Sequence, residues 1–560
     1  MLTALLGTAR DLGRLQDIAS VLVRYGFGDA VRRLGMAGAL ERAGKILHWT
    51  QAAEFARLAP PERVRHALQD LGPTFVKLGQ ILATRVDLFA PEWIEEFEKL
   101  QDRAPPAAFG EVRAQILQDL GVAPEDVFGK FDSDPIAAGS IAQVHRAQLA
   151  DGTQIAVKVR RPGIRPIVEA DLRLLARLAD ILETEFPTLA HFRPREVVRQ
   201  FTLTLRRELD LAAECRNAER VAHSFRERPE IVVPKVYWDW TGERMNVQAY
   251  IEGIPSRDLE AVDRAGLDRR VLARRGTQAV LKMVIEDGFF HADPHPGNVF
   301  YLPENRVAFI DFGMAGHLSD RRRDELSELL NGLVERDSES VADVLLDWAG
   351  AAQIDTEKLT VDVDGFIDRY HGVPLNQLRV GEMLADMTAL LRDHELALPP
   401  DLALVLKVCV TLEATGRELD PDFDMAGEAA PFLRAAVLAR RGPAALAKRS
   451  GRALAAALEI FADLPQDLRR ILRSARSGRL QMHIDLTRLN RFGNQLDRAA
   501  SRLALGVVTA ALIIGSSIVM TIEGGPTLLG LPLFGLLGFL GAVAGGAWLL
   551  HSILRSGRDG

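Results

Sequence analysis

Apolar positions recur at helical spacing through the first sixty residues, with Leu12, Leu15, Ile18 and Leu22 on one face and Pro60-Pro61 expected to close the segment. Helical patterning continues from Glu62 to about Leu120. The period then shortens to two. Phe131, Ile136, Ile141 and Val144 fall on short strands, and Asp151-Gly152 supplies a hairpin turn before Ile155-Ala-Val-Lys-Val159. Helices return through Glu219, a strand pair is expected over about Ile231 to Tyr250, and the remainder is mainly helical. The pattern predicts an α+β chain in two lobes: a small mixed sheet with one inserted helix, then a helical lobe. No internal repeat and no long low-complexity segment interrupts it.

The carboxyl end follows another rule. Leu503 to Ile522 is an uncharged apolar run of twenty residues, which as a helix rising about 1.5 Å per residue spans a hydrocarbon core of roughly 30 Å. A second uncharged stretch follows Glu523-Gly-Gly-Pro526. Pro532 moves its predicted helix to about Leu533 to His551, with Gly541 and Gly545 at close-packing spacing. A transmembrane helical hairpin is predicted. Arg488, Arg491, Arg498 and Arg502 precede it, Arg555 and Arg558 follow it, and the connector carries only Glu523, so the positive-inside rule places both flanks in the cytoplasm. Arg469, Arg470, Arg473, Arg476 and Arg479 are spaced like a basic helix face suited to anionic lipid.

The expected divisions are an N-terminal helical region (1–60), a helical extension (61–125), a sheet-bearing N-lobe (126–250), a helical C-lobe (251–435), a basic juxtamembrane region (436–500) and the hairpin (501–554). The length of 560 residues allows several domains. A net charge of -7 and a pI near 6.0 give no reason to expect nucleic acid as a partner. Cys215 and Cys409 are the only cysteines, too few for a disulfide framework or a cysteine-built metal site. The first residues lack a secretory n-region, and Asp11 and Asp17 argue against a transit peptide.

The chemistry is concentrated in His291-Ala-Asp-Pro-His-Pro-Gly-Asn298 and Asp311-Phe-Gly313. In kinase sites an Asp of the catalytic loop faces the phosphate acceptor, an Asn five positions on binds magnesium, and the Asp of a following Asp-Phe-Gly binds it again. Asp293, Asn298 and Asp311 take those places, separated by the strand pattern Val307-Ala-Phe-Ile310. The cofactors expected are ATP and Mg2+. On Ile155-Ala-Val-Lys-Val159, alternation puts Lys158 opposite the apolar face, where it can reach phosphates if a carboxylate holds it. Asp210 and Glu214 share one face of the following helix, with Glu208 well round it, and Glu214 is the assigned partner. The loop that should cover the phosphates reads Ala137-Ala138-Gly139-Ser140, where methyl groups restrict backbone approach. In the hinge strand Val247-Gln248-Ala-Tyr250, Gln248 and Tyr250 are the candidate contacts for the nucleotide base.

Upstream, Leu71-Gly-Pro-Thr-Phe-Val-Lys77-Leu-Gly-Gln80 completes a combination that resembles the UbiB family of atypical kinases from about residue 60 to 430. The resemblance implies a protein-kinase-like fold with an N-terminal helical extension. It also implies ATPase rather than ordinary protein-kinase behaviour, and a role in ubiquinone synthesis at the bacterial inner membrane. The implied partners are quinone-biosynthesis proteins or lipid intermediates. By the same resemblance Lys77 and Gln80 cover the site where a protein substrate would dock, facing the cleft with Glu208 and Asp210 in a regulatory role. The hinge departs from the Met-Glu that often precedes the aromatic in that family. No Ala-Pro-Glu follows Asp311-Phe-Gly313, which agrees with the family and counts against a conventional protein kinase. The competing readings are a small-molecule kinase of the aminoglycoside or choline type and a non-catalytic, nucleotide-regulated lipid-binding scaffold.

Overall fold

Strand β3 (Gln154–Arg160) shows why the sheet forms where it does. Ile155, Val157 and Val159 are fully buried on one face, packed with Val112, Ile116 and Phe128 behind the sheet. Lys158 points the opposite way, as strand alternation requires. Strands β1 (Lys130–Ala138) and β2 (Ala142–Gln148) precede it. After β4 (Ile231–Val232) has left for another sheet, β5 (Met245–Ala249) completes an antiparallel order β1-β2-β3-β5. The turn between β2 and β3 is the expected one: Gly152 takes a φ of 90° and the Asp151 carboxylate accepts from the Thr153 N–H at 2.9 Å.

The computed structural model describes residues 9–28, 31, 58–100, 104–185, 193–349, 354–371, 373, 378–441, 510–511, 513–518, 527–528, 531–532, 537, 540 and 542–543. They fall into two units, Met1–Gly442 and Pro443–Gly560.

Below the hinge, β6 (Ile254–Pro255) pairs with β8 (Val299–Leu302), which pairs with β9 (Arg306–Phe309), which takes β4 in parallel. Strands β7 (Phe289–His291) and β10 (Ala315–His317) form a two-stranded ribbon beside the catalytic segment. The helices Arg269–Leu281 and Pro400–Leu419 run through the largest core, which includes Leu272, Val280, Phe290, Phe309, Phe312 and Val408. A separate core joins the N-terminal helices to Ile164–Glu185 and Pro194–Glu208 through Leu15, Ile18, Phe75, Val168 and Phe201.

Several sequence expectations need correction. The N-lobe sheet is wholly antiparallel, and three helices, not one, lie between β3 and β5: Ile164–Glu185, Pro194–Glu208 and Leu211–Ser224. Two strands do lie within 231–250, but β4 and β5 do not pair with each other: the stretch meets itself only at the antiparallel bridge between Val236 and Gln248. Pro234 removes a donor from that stretch, β4 finds Val307 and Ala308 instead, and β5 pairs with β3. Ile141 lies in the β1–β2 connection, where its carbonyl accepts from Arg161 N–H at 2.8 Å. Pro60-Pro61 opens the helix Pro60–Leu71, because a missing N–H costs least in a helix's first turn; the segment it was expected to close lies largely outside the described residues.

The basic face at 469–479 lies outside the described residues, as does most of both predicted spans. Among the described residues no helix is long and apolar enough to cross a membrane, so the structure lends the hairpin no support. In its connector Thr527–Leu528 pairs with Leu531–Pro532.

Candidate active site

Glu208 and Glu214 were expected on one helix, and the structure divides them. The helix Pro194–Glu208 stops at Leu209, and Asp210 caps the next helix, Leu211–Ser224, by accepting from the Ala212 N–H at 3.1 Å. Its other oxygen pairs with Arg216 at 2.8 Å, so Asp210 serves as a helix cap. The break turns the two glutamates toward two lysines. Lys158 Nζ donates to both Glu214 oxygens at 2.9 and 3.1 Å and lies 3.2 Å from Asp311 Oδ2. Lys77 Nζ, on the helix Pro73–Leu82, is 3.1 Å from Glu208 Oε2.

Burial works against each charge in this network, and the network answers it. Burial disfavours the Lys158 ammonium, but Asp311 and Glu214 outweigh it and hold its proton more tightly than water does. Burial would also raise Asp311, yet Lys158 and Lys77 keep it well below the usual carboxylate range. For Glu214 burial wins, pushing it up to about 7 against the pull of Lys158. Asp311 also sits at a φ of 58°, an uncommon conformation for a residue other than glycine.

The catalytic segment is held from below. His291 is fully buried. Its Nδ1 accepts from the Asp293 N–H at 3.1 Å and its Nε2 donates to the Ile310 carbonyl at 3.0 Å, which ties the loop to the strand leading into Asp311. Asn298 Nδ2 donates to the Asp293 carbonyl at 3.2 Å. With the amide nitrogen so used, the side-chain atom Asn298 can offer a cation is an oxygen. Asp311 and Asn298 thus form a hard-oxygen pair of the kind magnesium accepts when phosphates and waters supply its remaining ligands. Among the described residues no group of three or more His, Cys, Asp or Glu side chains could hold a metal unaided.

The remaining candidates are placed less directly. Gln80 donates to the Leu100 carbonyl at 3.0 Å, and Leu100 crowds Gly79 so closely that a Cβ there would lie 2.1 Å from Leu100 Cδ1. Ala137 and Ala138 are not free loop residues: they end β1, paired with Val144 and Gln143. Beyond them the Gly139 N–H donates to the Ala142 carbonyl at 2.8 Å, and Gly139's own carbonyl accepts from Arg161 Nε at 2.7 Å. Ser140 is buried. The side chain of Gln248 turns to Cys215 Sγ at 3.6 Å, and the Tyr250 N–H is spent on the Gln154 carbonyl. Tyr250 does line a cavity of about 620 Å³ at the hinge, with Arg146, Glu252, Phe300 and Leu267. The Arg146 guanidinium lies over its ring and pairs with Glu252 at 3.1 Å.

Three residues escaped the sequence reading. Asn246 stands opposite Lys158 in the sheet register and hydrogen-bonds Glu214; strand alternation would have found it. Asn217 donates to the Phe312 carbonyl at 3.0 Å, one helical turn beyond Glu214, a spacing that also carried a signal. Lys407 pairs with Asp293 Oδ1 at 2.9 Å from 114 positions away, and no local pattern announces it.

The sequence matches the ABC1 atypical kinase-like domain over residues 99–345, the UbiB helical domain over 363–424 and the ABC1/UbiB kinase-like C-terminal domain over 487–555. A protein of Enterobacter sp. (strain 638) named "Probable protein kinase UbiB" is 32% identical over 517 residues, covering 91% of this chain and 94% of that protein. One of the same name from Aliivibrio fischeri (strain MJ11) is 34% identical over 445 residues, covering 78% and 81%. A solved Mycobacterium tuberculosis protein in complex with erythromycin is similar at 22% identity and a TM-score of 0.46, covering 63% of this chain and 90% of that one.

Proposed function

The chain belongs to the ABC1/UbiB family of atypical kinase-like proteins, and from that premise we propose that it binds Mg-ATP in the cleft between its lobes and acts as an ATPase or atypical phosphotransferase serving ubiquinone biosynthesis. The observation that carries the nucleotide reading is Lys158 held between Glu214 and Asp311. A strand lysine fixed by a helix carboxylate and placed beside the Asp of Asp-Phe-Gly is the arrangement that grips phosphates and their cation in kinase sites. Asp311 and Asn298 would hold magnesium, which when bound neutralises phosphate charge. Lys158 orients the phosphates as a point charge, and Asp293 stands where an acceptor's proton must go. Residues 137–140 approach the phosphates from above, and the cavity beside Tyr250 accommodates the base.

Lys77 and its partner Glu208 act as a regulatory pair. Their helix brings a second ammonium to Asp311, in a place a docked protein substrate would otherwise use. The two C-terminal apolar runs anchor the chain in the bacterial inner membrane with the kinase-like unit on the cytoplasmic face, and the arginine-rich segment before them meets anionic lipid.

Nucleotide-dependent thermal stabilisation, measured with and without Mg2+ and followed by ATP hydrolysis in anionic liposomes with and without a quinone-precursor mimic, tests the nucleotide reading. A magnesium-dependent rise in Tm together with turnover supports it; no shift at saturating ATP overturns it. Truncation after Gln495 with a carbonate wash tests the anchor, which fails if the truncated chain still resists extraction.

A further inference from the structure

Asp311, Glu214, Glu208 and Asp293 each have a lysine partner. Asp311 and Glu214 share Lys158, and Glu208 has Lys77. Asp293 is the exception in origin. The segment His291–Asn298 contains no Lys or Arg, and of its two histidines His291 is spent on the backbone while His295 stands 3.7 Å from Asp293 Oδ2. The permanent cation at Asp293 comes from the helix Pro400–Leu419, whose Lys407 Nζ reaches Oδ1 at 2.9 Å.

The place of that helix is fixed by the N-terminal extension. Arg85 and Asp87 form a buried two-bonded pair at 2.9 and 2.7 Å. Asp87 then accepts from the Leu398 N–H at 2.8 Å, just before the helix begins, and Arg392 donates to the Val86 carbonyl at 2.6 Å. Burial raises the carboxyl of Glu98, the last residue of the helix Pro91–Glu98 in the same extension, and the charge of Lys407 opposes that rise. Lys407 therefore stands on a braced helix, paired with the carboxylate expected to face the acceptor.

We propose that Lys407 is a positioning residue for phosphoryl transfer, holding the Asp293 carboxylate in one orientation so that Oδ2 is left to face the acceptor. This rests on the Mg-ATP reading above. Asp293 takes the proton of the attacking water or hydroxyl as the new P–O bond forms and the bond to the departing nucleotide oxygen breaks with its electron pair. Lys407 acts through Asp293 and has no place in the Lys158–Asp311 grip, so its loss separates binding from turnover.

The test compares Lys407→Met and Lys407→Arg with the unaltered full-length protein in liposomes, measuring Mg-ATP affinity by titration, Tm without nucleotide, and kcat and KM for hydrolysis. In Lys407→Met the affinity and KM are expected to stay within about twofold of the parent while kcat falls on the order of a hundredfold, the cost of a misplaced reacting group. Lys407→Arg, which keeps the charge and reach, is expected to recover most of kcat. The proposal is overturned if Lys407→Met leaves kcat unchanged, if affinity falls as far as kcat, or if Lys407→Arg is no better than Lys407→Met at equal Tm. Should Lys407→Met fail to fold, Lys407→Arg against Lys407→Gln decides on the same criteria. If the unaltered protein neither binds nor hydrolyses Mg-ATP, the nucleotide reading has failed instead.

Discussion

On the Asp311 side of the cleft two lysines from distant elements meet three carboxylates, Glu208 and Glu214 almost wholly buried and Asp311 itself 45% exposed, whereas on the Asp293 side one lysine and one histidine face a single carboxylate that is 27% exposed. In the first arrangement the two buried glutamates are each answered by a lysine, and Asp311 carries the network out to the open part of the cleft. The second is smaller, and its carboxylate is the less exposed of the two aspartates. Under the proposed reading, gripping phosphate calls for several fixed charges, while receiving a proton calls for one carboxylate held in place, and the two sides differ in that respect.

The sharpest way to break this comparison is at Asp311. Replacing it with Asn removes the anionic oxygen that neutralises phosphate-bound magnesium and one of the two partners of Lys158. The magnesium-dependent part of the nucleotide-induced Tm shift is expected to vanish. A shift of unaltered size would show that the grip is not built on this side.

Lys158→Met comes next, and pH reports on it. Glu214 already sits at about 7 because it is buried, and without Lys158 it loses the charge that pulls it down. An acid whose folded pKa is raised contributes stability that is fully present below its unfolded pKa and is lost as pH rises through the folded one. Because Lys158 also holds Asp311 down, the variant is expected to be less stable than the parent already at about pH 6, and the gap is expected to widen by about pH 9 as Glu214 must ionise without its lysine, approaching the 3–5 kcal/mol typical of a broken buried pair. Urea unfolding at a series of pH values checks it; a pH-independent loss would mean that Glu214 is not the group left exposed to titration.

Lys77→Met sharpens the comparison within the network. It removes the lysine partner of Glu208, whose side chain is only 7% exposed, so a loss of up to about 3 kcal/mol is expected by the same argument. Because Lys77 lies beyond the direct grip, Mg-ATP affinity should change less than in Lys158→Met. Equal losses of affinity would place both lysines on the phosphates.

What the sequence made legible follows the range of the interactions. Lys158 on its strand and Asp293, Asn298 and Asp311 at their spacings are local patterns, and the structure brings all of them to one cleft. The assignment of Glu214 to Lys158 agreed with the geometry although the single helix assumed there is two, because Asp210 and Glu214 do stand one turn apart. Glu208 was harder: the break at Leu209 is stabilised by the Leu211 N–H donating to the carbonyl of Glu243, a residue far along the chain. Strand β4 was misplaced for a similar reason, since its partner Val307 lies beyond the hinge. Lys407 shows the limit, a lone lysine on an ordinary helix whose role depends on a buried Arg85–Asp87 pair more than 300 positions away.

The smallest expected effect belongs to the alanine loop, and it bears on how the cleft is roofed. Ala137 and Ala138 pair with β2, and the backbone around them is fastened: the Ala138 carbonyl accepts from the Ala104 N–H at 3.1 Å and that of Gly139 from Arg161. Changing both alanines to glycine removes two methyl groups and adds backbone freedom in a strand, a cost of about 0.5–1 kcal/mol each, small beside the loss of a buried charge partner. The gain is that backbone amides near residue 139 come closer to the phosphates, as glycine loops allow. Altered ATP affinity and increased self-phosphorylation are therefore expected, with impaired quinone synthesis in cells, from a protein only slightly less stable. Nucleotide titration, radiolabel incorporation and complementation of a quinone-deficient strain measure the three. If stability falls as expected while all three stay at parental values, the alanines serve β1 alone, and the roof of the cleft takes no part in choosing the reaction beneath it.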